Sequence, residues 1–122
     1  MKDYRHLLGV KYTSNGRSIE EGFDCYGLAI EVLRENNIDL VDVFNPKVST
    51  SDNMMYAVKS IPHKTLSKPE ENAIIELSVF GEPIHIAIYI GEGYIIHATT
   101  TKGVVIEPLH RFKTRIKGIY KV

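Results

Sequence analysis

The spacing of apolar and polar positions changes about halfway along the chain. Between Asp24 and Asn37 the residues Leu28, Ile30, Val32 and Leu33 fall too densely for one narrow stripe, which predicts a mostly buried helix. Asp24 is a favoured N-cap type, and the helix should end near Asn36-Asn37. From Asn72 onward β patterning takes over. Ala73 to Val79, Ile84 to Ile90, Tyr94 to Ala98, Val104 to Glu107 and Ile116 to Val122 read as strands. Gly91-Glu92-Gly93 and Thr99 to Gly103 supply turns between them.

The remaining segments are less patterned. Residues 1–12 read as a segment that begins with a short helix and ends at Tyr12, and Thr13 to Gly22 as a polar loop containing Asn15-Gly16. Residues 38–71 carry three prolines and a Ser/Thr cluster at 49–51, with a short helix near 52–59 whose Met54, Met55 and Tyr56 read as core. Helices first and a β meander afterwards predict one α+β domain over residues 1–122.

The hairpin around Gly91-Glu92-Gly93 gives a geometric expectation. A three-residue loop pairs Ile90 with Tyr94, Ala87 with His97 and His85 with Thr99. His85 and His97 then become diagonal neighbours on one face, beside Ala87, Tyr89 and Ile95. The other face carries Ile84, Ile86, Ile88, Ile90, Tyr94, Ile96 and Ala98 and reads as core. A two-residue loop would shift the register and separate the histidines. The small Ala87 leaves room for another element, which the helix beginning at Cys25 could supply.

Composition narrows the functional classes. At 122 residues, 43% hydrophobic and 25% charged, the chain fits one ordinary globular core. Fifteen basic residues balance fifteen acidic ones, which argues against a nucleic-acid binder. No apolar run reaches the roughly 18–20 residues that span a bilayer. Met1 to Val10 lacks a secretory signal layout, so the expectation is cytoplasmic synthesis. Export would then need phage machinery, lysis, a contact-dependent route or release from a longer precursor. One cysteine excludes an intramolecular disulfide and a multi-cysteine zinc site. The long spacing of Cys25, His85 and His97 gives a metal site no support, and no cofactor is expected.

That cysteine is in an activating place. It follows the proposed N-cap, where unpaired amides and the helix dipole favour thiolate over thiol. Asp24 would oppose this if it faced the sulfur, but as a cap it should face the next turn's amides. Gly27 is unfavourable within a helix, and implies either a close approach on the cysteine side or tight packing against a strand. His85 could take the thiol proton while His97 holds the far ring nitrogen; alternatively, both histidines simply fill a half-exposed sheet face. His6, His63 and His110 fall outside any motif and read as solvated, as do Lys113, Arg115, Lys117 and the helix face of Glu31, Arg34 and Glu35.

These residues carry a resemblance. Gly22-Phe23-Asp24-Cys25-Tyr26-Gly27-Leu28 resembles the D-C-S-G-L nucleophile motif of NlpC/P60 cysteine peptidases. His85-Ile86-Ala87-Ile88-Tyr89-Ile90-Gly91 is similar to that family's H-V-G-I-Y-x-G strand, and Tyr94-Ile95-Ile96-His97-Ala98 to the strand after it. Gly9-Val10-Lys11-Tyr12 resembles its G-x-x-Y segment.

The resemblance implies a papain-like α+β fold with N-terminal helices packed on a central antiparallel sheet. It implies hydrolysis of stem peptides or cross-bridges of bacterial peptidoglycan, often at a γ-D-glutamyl to diamino-acid bond. Cys25 would be the nucleophile, His85 the base and His97 the orienting residue. Tyr12 would line the site and help hold the oxyanion, with Asp24 and Tyr26 also assigned to the substrate and oxyanion region. Tyr26 in place of the usual serine resembles a subset associated with phage tails and prophages, which fits a larger phage-tail or secretion assembly and delivery to the wall. Asn72-Ala73-Ile74 replaces a common P-G-D turn, and Ala87 replaces a glycine and narrows the cleft. Two other functions fit the same residues: a deamidase or acyltransferase effector, and a non-catalytic tail component.

Overall fold

The computed structural model describes residues 2–79 and 82–122. Helix α1 spans Cys25–Glu35 and helix α2 spans Thr50–Ser60. A small antiparallel ribbon pairs β1 (Arg17–Ser18) with β2 (Gly22–Phe23). The remaining strands are β3 (Lys64–Thr65), β4 (Ile74–Val79), β5 (Glu82–Gly91), β6 (Tyr94–Thr99), β7 (Gly103–Pro108) and β8 (Ile116–Lys121). Among the described residues these six form one antiparallel sheet in the order β3-β8-β4-β5-β6-β7. The architecture is the expected α+β arrangement of helices on a central antiparallel sheet.

Alternation along β5 and β6 partitions the interior. Ile86, Ile88, Ile90, Ile96 and Ala98 face α1 and α2 in the main core, with Leu28, Val32, Leu33 and Met54. The opposite face buries Ile75, Leu77, Ala87, Ile95 and Leu109 in a second, smaller cluster. Its cover comes from a 3₁₀ turn, Leu109–Phe112, and not from the helix at Cys25. The room beside Ala87 is therefore filled from the other side of the sheet. Continuous apolar patterning makes α1 buried nearly all round: it packs against β5 and β6 on one side and against the β1–β2 ribbon on another.

The hairpin differs in detail from the expected loop. Its turn is Glu92-Gly93 alone, with φ of 54° and 86°, as a two-residue type I′ turn requires. Gly91 pairs with Tyr94, and the register shifts at Ile90 before Tyr89 pairs with Ile95 and Ile88 with Ile96. Gly91, at φ 99°, supplies the backbone freedom this bulge needs. The bulge cancels the one-residue shift of the shorter turn, and the register beyond Tyr89 is the expected one.

Other segments depart further. The short helix expected within residues 1–12 is a 3₁₀ turn at Arg5–Leu7, and Tyr12 makes a parallel bridge to Phe23. Part of the predicted loop pairs as β1 and β2. Helix α2 is longer than predicted because Ser49 caps it through a bond from the Asp52 amide. Met54 and Ala57 point inward, whereas Met55 and Tyr56 are 62% and 63% exposed, correcting their assignment to the core. Positions 54 and 57 lie one turn apart on the inner face, and 55 and 56 turn away.

Candidate active site

Cys25 opens α1 and is buried on the helical side of the sheet. Its helix packs against β5 and β6, the strands that carry His85 and His97. The start of this helix is held by an unusually complete cap. Asp24 Oδ1 accepts from the Gly27 amide at 2.7 Å and from Arg17 Nη1 at 2.9 Å. Its Oδ2 accepts from the Thr50 hydroxyl and the Asn15 amide, both at 2.9 Å.

Asp24 is 0% exposed, and these bonds occupy both of its oxygens. A carboxylate beside a reactive thiol would oppose thiolate formation, but here Arg17 balances its charge. Burial works against the Arg17 charge, yet Asp42 and Asp24 outweigh it and keep the guanidinium firmly protonated.

Tyr26 is buried as well. It is 1% exposed, stacks on Phe44 at 4.6 Å between ring centroids, and donates its hydroxyl proton to the Val41 carbonyl. Arg17 lies 4.7 Å from the Phe44 centroid, completing a cation–aromatic layer under the cap. The side chain therefore anchors segment 41–44 to α1. Gly27 has a definite reason as well: a Cβ there would come within 2.1 Å of the Gly16 carbonyl oxygen. The close approach is by a loop backbone, neither a strand nor an open substrate path.

Tyr12 is half-buried against the main core. Its bridge to Phe23, with Phe23 N–H donating to Lys11 O and Thr13 N–H to Phe23 O, ties it to the backbone two residues before Cys25.

On the sheet, His85 and His97 are 1% and 3% exposed. Their rings meet edge to face, with His85 Nε2 and His97 Nδ1 2.9 Å apart. Burial, and next the neighbouring His97, pushes His85 down to about 3. Burial also lowers His97, partly opposed by Glu107. Both rings are thus neutral near pH 7, and a neutral imidazole is an open proton acceptor. The geometry can pass a proton inward or hold one ring against the other.

Sequence reasoning missed what lies behind His97. Its Nε2 is 3.1 Å from Glu107 Oε1, and Glu107 Oε2 accepts from Arg111 Nη1 at 2.8 Å. Phe112 packs edge-on to the His97 ring at 5.5 Å. Glu107 lies diagonally across from His97, because His97 pairs with Val105 and Ile95 with Glu107. The signal in the sequence was a charged residue closing an otherwise apolar strand. A surface cavity of about 430 Å³ opens beside His85, His97, Thr99, Glu107 and Arg111. Among the described residues, no group of three or more His, Cys, Asp or Glu is arranged to hold a metal ion.

The NlpC/P60 family model matches residues 9–118, which span the cap, both histidine strands and Glu107. The chain belongs to the NlpC/P60 family. A curated relative, the gamma-DL-glutamyl hydrolase of Bacillus subtilis, is 32% identical over 108 residues, covering 87% of this chain. The chain spans about a quarter of that relative's length, 24%. Among solved structures, the NlpC/P60 domain of the peptidoglycan hydrolase SagA aligns with a TM-score of 0.64 at 20% identity, over 96% of this chain and 91% of that one. An NlpC/P60 family protein from Bacillus cereus aligns with a TM-score of 0.64 at 24% identity, covering 93% and 35% of the two chains. At these identities the structures show that the NlpC/P60 fold is shared.

Proposed function

We propose that this NlpC/P60 domain is a cysteine peptidase that hydrolyses peptide amide bonds of bacterial peptidoglycan. The observation that carries the reading is the buried His85–His97 contact on the two strands that pack against the helix headed by Cys25. In this reading Cys25 is the nucleophile, His85 the base and His97 the residue that orients it. His85, neutral at rest, takes the Cys25 proton, and the helix N-terminus stabilises the thiolate. The sulfur bonds to the amide carbon, and the carbonyl oxygen takes up the negative charge. The Cys25 amide and the Tyr12 hydroxyl are the proposed oxyanion donors. Collapse breaks the C–N bond as His85 returns its proton to the leaving amine. Water, deprotonated by His85, then attacks the thioester, and the thiol regains its proton as the acid leaves.

The bond we propose is γ-D-glutamyl to diamino acid in a stem peptide. Support comes from the Bacillus subtilis relative, named as a gamma-DL-glutamyl hydrolase. The test is incubation with defined muropeptides followed by mass spectrometry. The expected result is cleavage by the native chain and none by Cys25→Ala, with unchanged circular dichroism. Full activity in Cys25→Ala ends the reading. Cys25 should also react with a mild alkylating reagent near neutral pH faster than an unperturbed cysteine. A rate equal to that of free cysteine favours a scaffold without turnover.

A further inference from the structure

Behind the two histidines lies a carboxylate whose hydrogen bond has only one possible direction. An ionised carboxylate accepts and never donates, so the 3.1 Å contact between Glu107 Oε1 and His97 Nε2 requires a proton on that nitrogen. A neutral imidazole carries one N–H, which leaves His97 Nδ1 bare. Nδ1 lies 2.9 Å from His85 Nε2 and can only accept, so the N–H of that bond belongs to His85. His85 is then left with its lone pair on Nδ1. One carboxylate thus dictates the proton position on two rings in succession.

We infer that Glu107 is a positioning residue that sets the tautomer of both His97 and His85, with Arg111 holding its carboxylate in line. Each link spans adjacent strands, from β5 through β6 to β7, and Arg111 closes the series from the 3₁₀ turn. Phe112 fixes the His97 ring edge-on, so the imidazole cannot readily rotate out of the series. Burial raises Glu107, but the bonds from His97 and Arg111 outweigh it and hold the carboxyl below its ordinary value. Glu107 therefore remains an acceptor across the neutral range. The catalytic meaning rests on His85 being the base: its Nδ1 must be bare to accept a proton from the thiol. In the opposite tautomer of His85 the lone pair would point at His97.

The test separates proton position from turnover. Nitrogen-15 histidine spectra of the Cys25→Ala chain, where no thiol can exchange a proton with His85, report each ring's tautomer near pH 7.5. The expected spectrum shows protonated Nε2 and bare Nδ1 on both His85 and His97. In Cys25→Ala/Glu107→Gln, the amide can donate as well as accept, and both rings should become tautomer mixtures. A merely structural hydrogen bond survives that substitution and predicts no change. Bare Nε2 on His97 in the first spectrum overturns the inference, as do unmoved tautomers in the second. In the active chain, Glu107→Gln should lower kcat roughly 10- to 100-fold with little change in KM, the scale of losing an outer positioning partner. Full muropeptide cleavage by Cys25→Ala would sink the peptidase reading and leave the tautomer result standing.

Discussion

Two imidazoles sealed from water bind protons less readily than they do in an unfolded chain. His85 is held at about 3 by burial and then by His97, and His97 is lowered by burial as well. Below an ordinary histidine value near 6.5 the unfolded chain takes up protons that the folded chain refuses, so acid favours unfolding. Glu107, held below its ordinary value, adds a loss of the same sign at lower pH. Stability should be full above about pH 6.5 and fall toward pH 4, by up to about 1.4 kcal/mol per pH unit for each proton. Urea melts from pH 7.5 to 4.5 measure the slope, and His85→Asn should flatten it. A flat native profile contradicts the assigned protonation. At this scale His85 and His97 were legible because polar residues stood at alternate positions on an apolar hairpin. Glu107 was not, because finding it needs the β6–β7 register as well as the alternation. Arg17 was hidden in a segment read as loop, although it neutralises the carboxylate next to Cys25.

Elements are joined most tightly at the start of α1. The Asp24 carboxylate connects the loop at Asn15, the ribbon at Arg17, the helix at Gly27 and α2 at Thr50. Asp24→Ala should cost about 3–5 kcal/mol, because it leaves a partly buried guanidinium without one of its two carboxylate partners as well as removing the cap. Denaturant midpoints test this, and a loss below about 1 kcal/mol would assign Asp24 to an ordinary surface cap. Gly27→Ala should destabilise by ~1–3 kcal/mol despite the better helix propensity of alanine, since the added methyl meets the Gly16 carbonyl. A stabilised variant would show that the loop yields without cost. Helix α1 and the main strands were readable because each carries a strong period and a clear stop. The 38–71 stretch was not: Ser49 resembles any loop serine until the helix it caps is known. Met55 and Tyr56 misled because apolar side chains on an exposed helix face carry no sign of which way they turn.

The whole molecule is a sheet with unequal coverings. Two helices protect the Ile-rich face, while a single 3₁₀ turn and short apolar cluster protect the face behind the histidines. Hydrogen exchange should therefore be slowest in β4, β5 and β6 and faster in α2 and β3, which rest on fewer buried side chains. Equal protection in α2 and β5 would contradict this ordering. The fold class was readable because helical and β patterning occupy separate halves of the chain, but which face the Cys25 helix covers was not. Alternation assigns residues to two sides and does not say what arrives on each. The hairpin tip carries a consequence for inheritance. With Gly91 present the turn is Glu92-Gly93 and Ile90 is the extra residue; with Gly91 deleted, the same turn would pair Ile90 directly with Tyr94. Both lengths leave Tyr89 opposite Ile95, so a lineage can lose or regain one codon at this tip without moving the histidines. A Gly91 deletion should keep the native His85 and His97 nitrogen shifts, whereas deletion of Ile88 should abolish them.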